Sequence, residues 1–284
     1  MQRAPRHWFR APAERMGLLA LVCAAALFWY KPPLALFPLG LFLLCCCVAP
    51  FLPGAGFFLP VISRGNPGRN GVALTFDDGP DPETTLPLLE LLARHQVHAT
   101  FFVNGHKAAH HPDLMRQMLE RGHSVGNHTY THDNFIMLKS HRALLREITR
   151  TQEALAQFGV IPHAFRPPVG VISPRLAAVL RQTGLYAVNF SRRAGDRGNR
   201  RVQGIAARIL GRLRPGDIIM LHDTRPHGAG QHEHWLREID QVLLGIRERR
   251  LAVVPLAVLI DRPVMSRASP SSAGGCLGEK NESI

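Results

Sequence analysis

Two adjacent carboxylates end an apolar run in Thr75-Phe76-Asp77-Asp78-Gly79-Pro80. Such a pair repels unless a cation or a proton intervenes. Further on, Gly126-Asn127-His128-Thr129-Tyr130-Thr131-His132 sets two histidines four apart, a spacing that lets both imidazoles reach one ion from one side of a helical turn. In a chain with 15 histidines, that pair alone reads as readily as two surface residues. Joined by Asp78, His128 and His132 would form a two-His, one-carboxylate set with open positions for water, compatible with zinc and with other divalent metals. Three more polar groups invite chemistry: Arg166 in Arg166-Pro167-Pro168-Val169-Gly170, Asp196, and His222 in Leu221-His222-Asp223. Singly, Arg166 is a loop arginine and Asp196 a solvated acid, while His222 is as readily a core histidine as an acid-base group. Only a fold that gathers these residues would make them a site.

The apolar pattern implies such a fold. Alternation at Val72, Leu74 and Phe76, closed by Gly79-Pro80, reads as a buried strand that leaves both acids at its C-terminal lip. From there strands are expected at 72–76, 99–103, 124–126, 164–166, 186–190, 217–221 and 251–258. Helices are expected between them, at 86–95, 112–121, 141–158, 174–183, 202–213 and 235–249. About seven strands with intervening helices imply an α/β fold with a parallel sheet, most simply a (β/α) barrel. In a barrel the C-terminal lips of the strands converge on one face, and each polar cluster above follows a strand.

The chain before this pattern has a different character. Residues 1–15 carry four arginines and one acid, 16–30 are apolar and uncharged, Lys31-Pro32-Pro33 interrupts, and 34–62 are again uncharged but contain Pro38, Pro50, Pro53 and Pro60. A spanning helix needs about 20 apolar residues, so residues 1–62 are expected to form a membrane anchor of one or two spans. A cleaved signal peptide is the competing reading, against which the second apolar stretch argues. Residues 63–71 would be a short linker that keeps the catalytic face near the bilayer, 72–261 the catalytic domain, and 262–284 a disordered tail rich in Ser, Gly and Pro. If both stretches cross as a hairpin, the N-terminal arginines share a face with Arg64 and Arg69, which the positive-inside rule assigns to the cytoplasm. That reading favours the cytoplasmic over the periplasmic face of a bacterial inner membrane; a single span would put the catalytic domain outside.

A formal charge of +13 calls for an anionic partner: nucleic acid, phospholipid headgroups or an anionic glycan. No nucleic-acid-binding motif appears, and no nucleic acid is expected. Cys23, Cys45, Cys46 and Cys47 lie in the apolar region and Cys276 in the tail, so the middle of the chain offers neither a disulfide framework nor a cysteine-held metal.

The four motifs TFDDGP at 75–80, HTYTH at 128–132, RPPVG at 166–170 and LHD at 221–223 resemble, in order, those of the NodB-type polysaccharide deacetylases, carbohydrate esterase family 4. The likeness runs from about residue 71 to 258. It implies a distorted (β/α) barrel and metal-dependent removal of an N-acyl group, usually N-acetyl, from an amino sugar of a polysaccharide or lipid-linked saccharide. Carried over, Asp78, His128 and His132 would hold one divalent ion, most simply Zn2+, that polarises the amide carbonyl and activates a water. Asp77 would be the base, Arg166 its orienting partner, and His222 the acid with Asp196 orienting its ring. The backbone N–H of Val169 would face the oxyanion, and Leu221 would wall the acyl pocket.

One loop departs from the pattern. The family usually places a tryptophan directly after the fourth motif's aspartate, and here that residue is Arg197. With Arg192, Arg193, Arg200 and Arg201 it makes a basic rim that would suit a phosphate-bearing or lipid-diphosphate-linked sugar. Two alternatives stand beside the deacetylase: a catalytically idle membrane-anchored barrel that binds anionic glycan or lipid, and a deformylase acting on a lipid-linked amino sugar.

Overall fold

A computed structural model describes residues 11–52, 54, 56–228 and 230–268. Its main sheet comprises β1 (Val61–Ile62), β2 (Gly71–Asp77), β3 (Thr100–Val103), β4 (Ser124–Asn127), β6 (Ala164–Phe165), β7 (Tyr186–Val188), β8 (Arg192–Arg193), β9 (Ile218–His222) and β10 (Ala252–Val253). The strands are parallel, in the order β1-β7-β6-β4-β3-β2-β9-β8, with β10 paired to the start of β2. The sheet curls but its end strands do not pair with each other among the described residues. Instead the chain between β7 and β8 crosses the gap: the Asn189 N–H donates to Ile62 O at 2.8 Å and the Ser191 N–H to Ile218 O at 3.1 Å.

Strand alternation divides the core into two layers. Val72, Leu74 and Phe76 of β2 face outward onto Leu88, Leu89 and Leu92 of α3 (Thr85–Arg94), and the Phe76 ring stacks on Phe101 at 5.4 Å. Ala73 points to the inside of the curl, where Phe102, Ala164, Val188 and Ile218 fill the space. Small residues at 73 and 164 leave room inside the curl for larger interior side chains. α6 (His141–Ala156) and α7 (Pro174–Thr183) cover the other half of the sheet through Leu144, Ile148, Leu176 and Val179.

Two elements precede the sheet. α1 (Pro12–Tyr30) and the run Pro32–Phe51, which contains α2 (Leu36–Val48), are each long and apolar enough to cross a membrane. At 1.5 Å per residue α1 is about 28 Å long, close to a hydrocarbon core of about 30 Å. The helices return on one another, since a Cβ on Gly17 would meet the Phe42 ring at 3.0 Å. Trp29 and Tyr30, at the far turn beside Lys31, are exposed, as interfacial anchors would be. The near end is tied to the sheet domain: the Ala13 N–H donates to Phe57 O and the Ile172 N–H to Pro50 O at 3.3 Å.

Three expectations change. The run expected as a last strand over 251–258 splits into β10 and the helix α10 (Leu256–Leu259), because Pro255 brings no N–H to a ladder and starts the helix instead. Within the tail expected over 262–284, β11 (Met265–Arg267) pairs antiparallel with β5 (Val160–Pro162), and residues 269–284 lie outside the described residues. Two helices were not foreseen in full. α4 (Gly105–His110) was absent from the expectation, and α9 (Gln231–Glu248) begins a turn early because its first residues are polar and carry no apolar period.

Candidate active site and metal centre

The parallel strands other than β10 end on the same lip, and there a cleft of about 760 Å³ is lined by Asp77, Asp78, His128, His132, Val169, Asp196 and His222. Asp77 ends β2 and Asp78 follows it with φ 73°, a left-handed turn that swings the second carboxylate to the same side as the first. His128 follows β4 directly, and His132 sits at φ 55° four residues on. Asp78 Oδ1 lies 3.3 Å from His128 Nε2 and 3.0 Å from His132 Nε2. Burial opposes the charge on Asp78, yet the two imidazoles outweigh it and hold the carboxyl well below the usual carboxylate range.

These three residues fit a metal. Tetrahedral donors about 2.0–2.1 Å from a zinc ion stand about 3.3 Å from one another. Here all three ligand atoms lie within 4.8 Å of each other. Asp78 Oδ1 is buried and receives no hydrogen bond of acceptable geometry despite its two nitrogen neighbours, which is the arrangement a shared cation would satisfy. The other ring nitrogen of His128 is already committed, Nδ1 donating to Arg166 O at 2.7 Å, so Nε2 presents its lone pair to the centre.

Arg166 acts from behind the cleft. It is fully buried, and its guanidinium donates to Asp77 Oδ1 at 2.6 Å, to Thr75 Oγ1 at 2.7 Å and to Asn189 O at 2.9 Å, over the Phe102 ring at 4.0 Å. One residue therefore positions Asp77 through its side chain and His128 through its carbonyl. Across the cleft, His222 Nδ1 meets Asp196 Oδ2 at 2.9 Å. Burial disfavours the imidazolium, but Asp196, joined by the charges of Asp78 and Asp77, more than offsets it and the His222 pKa is pushed up to about 9. Val169 adopts φ 52°, rare for a β-branched residue, and its N–H finds no backbone acceptor among the described residues.

Leu221 is not where the sequence reading put it. It is fully buried in the outer core, and the cleft wall is formed by Met220 and Phe190. The period of two along β9 explains this: residues 220 and 222 share a face, and residue 221 turns away from His222. Arg197 lines the cleft at φ 55°, and of the later histidines His227 lines it while His232 and His234 do not.

Three positioning residues escaped the sequence reading. Asn199 donates to His222 O and Thr224 O at 3.1 and 2.7 Å. Asp223, buried, accepts from Thr84 and Thr85 at 2.7 Å each and packs so tightly on Gly79 that a methyl there would collide with it. Glu147 of α6 accepts from Tyr130 N at 3.1 Å, Thr131 N at 2.8 Å and Thr131 Oγ1 at 2.9 Å, fixing the loop between the two histidines. Its position in an amphipathic helix gave no sign of this. Glu147→Gln is expected to weaken the affinity of the Asp78, His128 and His132 group for a divalent ion by about 10–100-fold, as loss of an outer-shell support does, measured by competition with a chromophoric chelator.

A family model for polysaccharide deacetylase matches residues 64–188. A chitooligosaccharide deacetylase of Bradyrhizobium sp. (strain ANU 289) is 33% identical over 202 residues, covering 68% of this chain and 91% of its own length. A peptidoglycan-N-acetylglucosamine deacetylase of Bacillus cereus is 29% identical over 191 residues, 66% of this chain and 87% of its own. The crystal structure of the Bc1960 peptidoglycan N-acetylglucosamine deacetylase, in complex with 4-naphthalen-1-yl-N-oxidanyl-benzamide, superposes with a TM-score of 0.65 at 30% identity, over 72% of this chain and 94% of that one. A curled parallel sheet with a group at its lip that could hold a metal ion, beside a carboxylate and an imidazole, together with these relatives marks a hydrolase of carbon–nitrogen bonds. The chain belongs to the polysaccharide deacetylase family, the NodB-type carbohydrate esterases of family 4.

Proposed function

We propose that this cleft hydrolyses the N-acetyl group of an amino sugar in a polysaccharide or lipid-linked saccharide, from a domain held at a membrane by the N-terminal hairpin. The observation that carries the reading is the Asp78 oxygen set between two imidazole nitrogens, with Asp77 and His222 in the same cleft. A divalent cation held by Asp78, His128 and His132, most simply zinc, supplies a Lewis acid for the amide carbonyl and the attacking water. Asp77, aimed by Arg166, takes the proton of that water. The Val169 N–H is the backbone donor for the oxyanion on the former carbonyl. His222, protonated through neutral pH, gives its proton to the amine as the C–N bond breaks, so that acetate and a free amino sugar leave.

The test is acetate and formate release from N-acylated sugar oligomers and lipid-linked amino sugars. A chelator should abolish release and zinc should restore it. Full activity in the chelated enzyme would remove the metal from the reaction, formate alone would favour the deformylase reading, and glycan binding without any release would favour the idle barrel. For the membrane, the return of the hairpin and the Arg64/Arg69 segment support a cytoplasmic catalytic face. A reporter fused after Ile284 that is active only in the periplasm would reverse that assignment.

A further inference from the structure

The cleft carries more positive charge than this reaction uses. Its three acids are matched inside the site, Asp77 by Arg166, Asp78 by two imidazoles and Asp196 by His222. Arg193, Arg197, Arg200 and Arg201 also line it; all four are exposed, and none forms an ion pair among the described residues. Arg225, paired with Glu83 at 2.7 Å, and His227 extend the same rim. The buried Asp217 is also engaged, binding Arg64 at 2.7 Å and Arg192 at 2.9 Å.

These cations sit on a built loop. Arg197, Gly198 and Asn199 are all left-handed, the Asn199 amide clamps two carbonyls of the segment after β9, and the Arg201 N–H donates to Asp196 O at 2.9 Å. Four guanidiniums, one from β8 and three from the loop after it, without an ion pair among the described residues, repel each other unless an anion enters. Their planar forks match phosphate oxygens two at a time, and a single sugar carboxylate would leave most of them unmatched.

Another part of the cleft border has a different character. Val169 is exposed there, and Phe135 and Leu138 stand 69% and 76% exposed in the segment that follows the cleft residue Asn134. The same border is joined to the end of the apolar hairpin through Ile172 and Pro50. The cleft is thus lined by arginines and also adjoins an apolar edge tied to the end of the hairpin.

Resting on the deacetylase reading above, we propose that the substrate is an amino sugar esterified to phosphate or diphosphate, gripped by Arg193, Arg197, Arg200 and Arg201 while its N-acyl group reaches Asp77 and His222. The apolar border favours a phosphate borne by a membrane lipid over one borne by a nucleotide.

The experiment compares kcat/KM of the full-length protein in detergent micelles. The substrates are a neutral chitooligomer, N-acetylglucosamine 1-phosphate, the uridine-diphosphate sugar, the polyprenyl-diphosphate sugar and N-acetylmuramic acid. Phosphate-bearing sugars should exceed the neutral and carboxylated ones by about tenfold or more, with the advantage shrinking as salt rises. In Arg197→Ala/Arg200→Ala/Arg201→Ala the ratio of phosphorylated to neutral substrate should fall toward one. Whichever of the lipid and nucleotide forms is faster identifies the carrier. Equal rates for neutral and phosphorylated sugars, or for muramic acid and phosphorylated sugars, would overturn the proposal. Equilibrium binding to the Asp77→Asn variant reads recognition without turnover. A phosphate advantage in Kd there upholds the proposal even if the reaction assigned above proves wrong, and equal Kd values sink it.

Discussion

Asp77→Asn is expected to lower kcat by about 10²–10⁴-fold, the range that a positioned general base contributes. The substitution keeps the shape and an acceptor oxygen for Arg166, so the buried guanidinium retains its hydrogen bonds to Thr75 and Asn189 and loses only a charged partner. Removing the acceptor altogether, as in Asp77→Ala, would strand that cation at a cost of about 3–5 kcal/mol, and misfolding would blur the result. Zinc content, measured on the purified variant, should match the wild type because none of the three proposed ligands is touched. A fall in kcat with unchanged zinc assigns the proton transfer to Asp77. Wild-type turnover would take the base away from it.

Asp196→Asn should move the alkaline limb of the kcat/KM profile toward acid pH. His222 must be protonated to serve the leaving amine, so activity is present below its pKa, about 9 with no ion at Asp78, and fails as pH rises through it. Burial pulls that pKa down, and Asp196 is the chief group lifting it. With the carboxylate replaced by an amide the largest upward pull is gone, only Asp78 and Asp77 remain to oppose burial, and the limb should shift toward acid pH. A cation at Asp78 lowers His222 in both proteins alike, so the difference between the profiles is the readout. A limb that stays in place while overall activity drops would assign Asp196 to packing alone.

The sequence made the chemistry legible wherever it is local. Two acids at a strand end and two histidines four apart are neighbours along the chain, and the strand–helix alternation was enough to bring both to one lip. Residues whose role depends on distant partners stayed hidden. Glu147 looks like any polar position on an amphipathic helix until the loop between His128 and His132 folds onto it. Asn199 holds the segment around His222 across 23 positions of sequence, and nothing near it signals this. The pocket leucine failed for a different reason: motif adjacency was followed where the strand's two-residue period should have been, and that period selects Met220. Pro255 in the last apolar run was a legible warning against a continuous strand.

Of the ten described non-glycine residues with positive φ, six belong to the cleft or its bordering loops: Asp78, Thr129, His132, Val169, Arg197 and Asn199. Thr129 and Val169 are β-branched, so their backbones bear the largest penalties, of order 1–3 kcal/mol each. Thermal tolerance and turnover therefore draw on the same residues in opposite directions. Replacements that relax these turns would make a hardier protein with a blunter active site, and an engineer seeking a robust variant should work on the outer helices and leave the lip of the sheet as it is.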